Sequence, residues 1–323
     1  MPINETLAQF SDWSFRSAFA VYLLAAVFLV AQYATVKVTA SEAKEQKVLV
    51  GSGPSKPVQT GPGRIEAPVK RPASERYGGM GFALVGLGLL LQIVSIVLRG
   101  FSTDRFPLGN MYEFVTMATA AATVTSVIAL RKMRVMMIFV VIPVLILMFL
   151  AATVLYADAA PVVPALRSYW LPIHVTIVSV GSGIFLVSGV SSLLFLLRIR
   201  QPRGQEKPGR LGAFASRLPD AQTLDRLAYK TTIIGFPLFG AGVILGAIWA
   251  EAAWGRFWGW DPKETVSFIA WVVYAAYLHA RATSGWRNTK AAWINVAGFV
   301  AMLFNLFIIN MVVSGLHSYA GLN

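Results

Sequence analysis

The sequence predicts an all-α, polytopic membrane protein with about eight transmembrane helices and both termini extracytoplasmic, and three observations carry that prediction. Of the 323 residues, 56% are hydrophobic and only 13% charged, a balance found in chains that live in lipid. The apolar residues fall into eight blocks, near 16–36, 79–98, 110–130, 135–156, 172–197, 231–253, 263–280 and 291–314. A helix needs about 20 such residues to cross a bilayer. Finally, the 28 Lys and Arg alternate in density along the chain: 22 lie in 37–76, 131–134, 198–230 and 281–290. Those connections are then cytoplasmic. The other side holds only Arg16, Arg99, Arg105, Arg167, Arg256 and Lys263.

Taken in order, residues 1–36 form an N-terminal transmembrane helix. No small-residue cleavage pattern follows it, so it is retained rather than removed as a signal peptide. Residues 37–76 are rich in Pro, Gly, Lys and Ser ("VGSGPSKPVQTGPGR") without a hydrophobic period, which predicts a flexible cytoplasmic linker. Residues 77–323 form the membrane core. Within it, 201–225 is a second cytoplasmic loop with a short helix leading to Leu224. No repeat of fixed period is visible. The net charge of +13 sits in the inner loops, where the lipid bilayer presents anionic headgroups. No nucleic-acid motif accompanies it, and no nucleic-acid partner is expected. The chain has no cysteine. It therefore has no thiolate ligand or nucleophile of its own, and no CxxCH for covalent haem.

The three histidines are placed by this topology. His174, in "SYWLPIHV", starts a helix at the outer surface, with Pro172 in its first turn. His317, in "SGLHSYA", lies just past the last span, again outside. A lone interfacial His is often only a solvated side chain. Two of three on one face favour a ligand role instead. Two imidazoles make a poor zinc site, yet they suffice for haem iron, whose other four positions the porphyrin supplies. His279 lies about 25 Å down the seventh span at 1.5 Å per residue. An ionisable residue there is a candidate site, with snorkelling beside Arg281 as the alternative.

On the same outer side lies "WGRFWGWDPKE", residues 254–264, with three of the nine tryptophans and a phenylalanine in seven residues. Interfacial belts explain Trp13, Trp170, Trp286 and Trp293, but not this density. Trp254 and Trp258 share a face if the loop is a short interfacial helix, and Gly255 and Gly259 allow close approach to a flat ligand. Asp261 before Pro262 reads as an N-cap, with Glu264 at capping-box spacing.

This stretch resembles the tryptophan-rich WWD motif of haem-handling proteins. Trp254, Gly255, Trp258, Trp260, Asp261, Pro262, Lys263 and Glu264 all match, and "FPLGNMYEF" (106–114), "AYLHAR" and "SGLHSYA" are also family-like. The resemblance runs from about residue 77 to the end. Eight spans in 323 residues are similar to the CcsA (ResC) branch, the membrane subunit of the two-component (System II) cytochrome c synthase. It implies a holocytochrome c synthase, or haem lyase, activity exercised within a complex. Haem b would be both substrate and bound ligand, with His174 and His317 as axial, catalytic ligands. Trp254, Gly255, Trp258, Trp260 and Asp261 would form its shelf, and His279 an earlier iron ligand near the cytoplasmic side. The implied partners are a ResB-type membrane protein with a large extracytoplasmic domain and an apocytochrome c bearing CxxCH. A bacterial plasma membrane is the expected location, ahead of a thylakoid membrane.

Two rival classes remain at this point. A haem exporter would share every feature except the thioether chemistry. A bis-His electron-transfer subunit needs His pairs at two depths across two helices, which three His in these positions do not supply.

Overall fold

The computed structural model describes residues 3–49, 72–162 and 166–317, the backbone alone over 37–49. Among the described residues the chain is helical throughout, with no strand. The helices are α1 (Glu5–Leu49), α2 (Ala73–Thr103), α3 (Met111–Leu130), α4 (Met137–Thr153), α5 (Trp170–Arg200), α6 (Arg210–Ala215), α7 (Ala221–Trp254), α8 (Pro262–Ala282) and α9 (Thr289–Met311). Eight are long; α6 is a short helix inside the 201–225 loop that ends before Leu224, which itself lies in the first turn of α7. Seven of the long ones are apolar enough to cross a membrane. α8 is excluded by its polar ends, Lys263 and Glu264 at one and His279 and Arg281 at the other. Its 21 residues still span about 30 Å at 1.5 Å per residue, which matches the hydrocarbon core.

Five helices (α1, α2, α5, α7 and α8) run past the apolar blocks that announced them, whereas α4 and α9 end three residues short of theirs. α1 starts at Glu5 and continues past 36 to Leu49, so the first part of the predicted linker is helical backbone. Residues 50–71 of that linker lie outside the described residues, and its last four, 73–76, are already the first turn of α2. α7 starts at Ala221 rather than near 231 because Asp220 caps it, accepting from Thr223 N at 2.7 Å. Hydropathy sees only the lipid-facing portion of a helix; caps set where it begins. α7 has 34 residues, about 51 Å at 1.5 Å per residue, and so overshoots a core of roughly 30 Å.

α1 packs along α2, and α5 along α7; α3 joins the two halves by contacting α2, α4 and α5, while α8 and α9 pair beside α5 and α7. In lipid no hydrophobic force separates helix from solvent, so polar bonds between helices carry much of the register. Tyr22 on α1 donates to Gln92 on α2 (2.9 Å), which donates to Thr119 on α3 (2.8 Å). Asn295 on α9 donates to Ser188 and Ser192 on α5 (2.9 and 2.7 Å), and Ser188 meets Thr232 on α7 at 2.6 Å. These bonds tie α1, α2 and α3 together at mid-helix, and α5, α7 and α9 towards the ends opposite the cavity.

Candidate functional site

The cavity opens at the end of the bundle formed by the start of α3, α5 and α8 and the end of α7 and α9, the end that the charge bias predicts to face outward. Its wall comprises Met111 and Phe114 of α3, His174 and Val178 of α5, Gly246, Trp249 and Trp254 of α7, Lys263 and Ser267 of α8, and Asn305 and Asn310 of α9. Trp258 from the α7–α8 connection and His317 from beyond α9 complete it. Its space is about 1430 Å³ including the open mouth. The lining is mostly apolar with a few converging polar groups, the usual make-up of a site for an organic ligand.

Each histidine is held by one ring nitrogen. His174 Nδ1 lies 2.7 Å from the carbonyl oxygen of Gly242 on α7. A carbonyl only accepts, so Nδ1 carries the proton and the lone pair sits on Nε2. The ring is pressed flat on α7: a Cβ at Gly246 would stand 2.6 Å from His174 Cε1. The indole of Trp249 lies parallel to it, with an interplanar angle of 7° and centroids 6.2 Å apart.

His317 is held by Asp261. Its Nδ1 is 2.7 Å from Asp261 Oδ2, while Leu316 N donates to Oδ1 at 2.7 Å. Asp261 also caps α8, accepting from Lys263 N at 3.2 Å, and Glu264 Oε2 closes the capping box on Asp261 N at 3.1 Å. The cap expected from sequence is present, and the same carboxylate anchors the chain beyond α9. Gly315 is required for that approach, since a Cβ there would lie 2.7 Å from Asp261 Oδ1. Burial raises the Asp261 carboxyl, but the donors from His317 and Leu316 outweigh it and hold its pKa below the usual 3.8. Burial pushes His317 below the ordinary 6.5, and the Asp261 bond only partly restores it. Burial favours the neutral imidazole, and the Asp261 bond fixes its proton on Nδ1 and leaves Nε2 as the basic nitrogen, the arrangement in which outer partners orient a ligating His.

Of the residues expected at the site, the structure brings together His174, His317, Trp254 and Trp258, with Asp261 directly behind. Others fall elsewhere. Residues 255–261 are not helical, so Trp254 and Trp258 reach the same cavity through a chain reversal and not along a shared helical face. Gly255 makes that reversal possible as the left-handed C-cap of α7, at φ +69°, with open space around it and no place among the residues of the cavity wall. Trp260 is 68% exposed at φ +57°, outside the cavity wall. His279 is exposed in the last turn of α8, at the opposite end of that helix from the cavity.

Sequence reasoning missed several residues. Gly242, Gly246 and Trp249 follow i, i+4, i+7 on α7, a helical stripe that was legible but buried in an apolar block. Glu113, inside "FPLGNMYEF", is 3% exposed and receives Arg99 Nε (3.1 Å), Arg105 Nη1 (2.9 Å) and Gly109 N (2.7 Å). This buried cluster pins the loop that leads into the cavity wall at Leu108–Met111. Asn110 is the N-cap of α3, accepting from Glu113 N at 2.9 Å.

The family model for cytochrome c assembly proteins matches residues 108–317. That stretch contains both histidines, the tryptophan motif and every helix of the cavity wall. The chain belongs to the cytochrome c assembly protein family, in its CcsA branch. It is similar to the cytochrome c biogenesis protein CcsA of Parasynechococcus marenigrum, 35% identical over 269 residues, covering 76% of this chain and 88% of that one. The CcsA of Guillardia theta is 32% identical, covering 76% and 86%. The CcsA of Chlamydomonas reinhardtii is 33% identical, covering 74% and 68%. Among solved structures, the cytochrome c haem lyase CcmF superposes with a TM-score of 0.63 at 17% identity. It covers 95% of this chain, which spans about half the length of CcmF; at that identity the likeness is one of fold. Membership in the CcsA branch places this membrane protein in cytochrome c biogenesis.

Proposed function

We propose that this chain is the membrane subunit of a two-component cytochrome c synthase. It carries haem b to the outer face, holds it between His174 and His317 against Trp254 and Trp258, and presents it to the CxxCH of an apocytochrome c. The observation that carries this reading is the pair of imidazoles from α5 and the chain beyond α9. Each is held through Nδ1, and both line one aromatic cavity. Two such nitrogens are what a six-coordinate haem iron requires. Each cysteine S–H then adds across a vinyl C=C, sulfur to the carbon next to the ring and hydrogen to the outer carbon. The substrate supplies both thiols, which fits a chain without cysteine. Displacement of one enzyme imidazole by the CxxCH histidine would free the product.

His279, exposed towards the cytoplasmic end of α8, would hold haem at an earlier stage. One imidazole gives one axial position, so the second ligand would come from a ResB-type partner. Relatives from Parasynechococcus, Guillardia and Chlamydomonas support a thylakoid membrane as a second location beside a plasma membrane.

The test is cytochrome c assembly on a CxxCH reporter in cells containing only this chain and its partner. His174→Gly and His317→Gly should each abolish it, and added imidazole should restore part of it by filling the open position. Normal assembly in either variant sinks the ligand assignment. Haem outside the cell without any covalent haem on the reporter would make the protein an exporter.

A further inference from the structure

The cavity wall carries a lysine whose ammonium touches no carboxylate among the described residues, Asp261 acting on it only from beyond ion-pair distance. Lys263, in the first turn of α8, is partly buried in the wall, and its ammonium donates to the neutral Asn310 Oδ1 of α9. Phe114 lies beneath it at 5.9 Å. Among the described residues no carboxylate lies within ion-pair distance of Lys263. The two acids beside it are committed elsewhere. Asp261 is taken by His317 and Leu316. Glu264 accepts from Gly259 N (2.9 Å) and Asp261 N and faces Arg256 at 3.6 Å. An ammonium has three donors, and placing one in an apolar wall without a counter-charge is costly.

The wall continues as a polar row one turn deeper. Asn305, 9% exposed, donates through Nδ2 to Ser267 Oγ at 2.7 Å, while its Oδ1 is buried with no hydrogen-bond partner. Ser267 accepts there and so keeps a hydroxyl proton to donate. Asn310 is itself held in place, its Nδ2 donating to the carbonyls of Asn305 (3.0 Å) and Leu306 (2.7 Å). The opposite sides of the cavity, formed by α3, α5 and α7, present mainly apolar and aromatic groups around His174, with Asn110 and Ser182 as their uncharged polar members.

We infer that Lys263, backed by Asn310 and the Asn305–Ser267 pair, is the carboxylate-binding subsite of this cavity, and that it sets the in-plane orientation of the bound ligand. This rests on the haem reading. Haem carries both carboxylates on one edge of a flat ring and its vinyls away from them. An ammonium on the α8–α9 wall draws the carboxylate edge to that wall and turns the vinyl-bearing edge away from it. The two axial imidazoles alone cannot do this, because rotation about the axis through the iron leaves both iron–nitrogen bonds unchanged.

The experiment uses the purified full chain with its partner and follows the Soret band on titration with haem b and with haem dimethyl ester, whose carboxylates are blocked. A hydrogen bond to a charged group is worth about 1.5–3 kcal/mol, so the free acid should bind roughly ten- to hundredfold more tightly than the diester. Lys263→Met should lower haem b binding to the diester level and leave the diester unchanged, while Lys263→Arg should keep most of the preference. Asn310→Leu should reduce the preference without loss of the Soret maximum. Equal binding of the two haems by the wild type, or an undiminished preference in Lys263→Met, overturns the subsite alone. Failure of the wild type to bind either overturns the haem reading beneath it.

Discussion

Asp261 and His317 are 56 residues apart and joined at 2.7 Å, and the same carboxylate caps α8. The start of one helix and the placement of a ring beyond another are therefore one structural event. Asp261→Asn keeps a capping oxygen but loses the charge that orients the imidazole. Loss of such an outer partner typically costs about 10–100-fold in affinity for the bound metal. We expect Asp261→Asn to accumulate normally in the membrane with haem affinity reduced by about that factor, read from Soret titration of the purified complex.

Acid should act on the same residues by charging the buried imidazole. His317 has its pKa lowered from 6.5 in the folded chain, and Asp261 has its own lowered from 3.8. In each case the unfolded state binds more protons over the interval between the two values, so stability rises with pH there. The His317 contribution is fully present above pH 6.5 and is lost as pH falls through its folded value; the Asp261 contribution follows below 3.8. Haem occupancy should thus hold from pH 8 to 6.5 and decline reversibly below it. The spectrum of the purified complex across that range checks this, and occupancy that rises on acidification would contradict it.

Gly246 tests the seat of His174. A methyl at 246 would stand 2.6 Å from the imidazole, so Gly246→Ala should displace the ring and lower haem content several-fold. Gly255→Ala is the control. It meets no neighbour but demands φ +69°, and should cost about 1 kcal/mol of stability while haem content per folded molecule stays unchanged.

The tryptophans should divide. Trp258→Ala removes part of the cavity wall and should reduce haem occupancy, whereas Trp260→Ala alters an exposed ring outside it. We expect the haem-to-protein ratio of Trp260→Ala to match the wild type even if transfer to apocytochrome slows. An equal loss in both variants would place the two rings in one function.

How much of this was legible differs from one element to the next. The all-α class, the number of long helices, the capping box at Asp261 and Glu264 and the family could all be read from the chain, since each depends on neighbours within a few residues or on sheer apolar length. The sequence also put His174, His317 and the tryptophan motif on one side of the membrane, because charge bias and helix count decide sidedness without any packing. The tertiary structure alone decided which of those residues touch. Gly242 reaches His174 because two small residues let α7 lie against α5, and no spacing within either helix announces that. Trp254 faces inward and Trp260 outward because Gly255 turns the chain left-handed, and a period computed for a continuous helix misses the turn. Lys263, Asn310, Asn305 and Ser267 become one polar wall only when α8 and α9 pair. Local rules specify helices and sides; contacts between helices depend on which faces meet, and that is settled by the whole bundle.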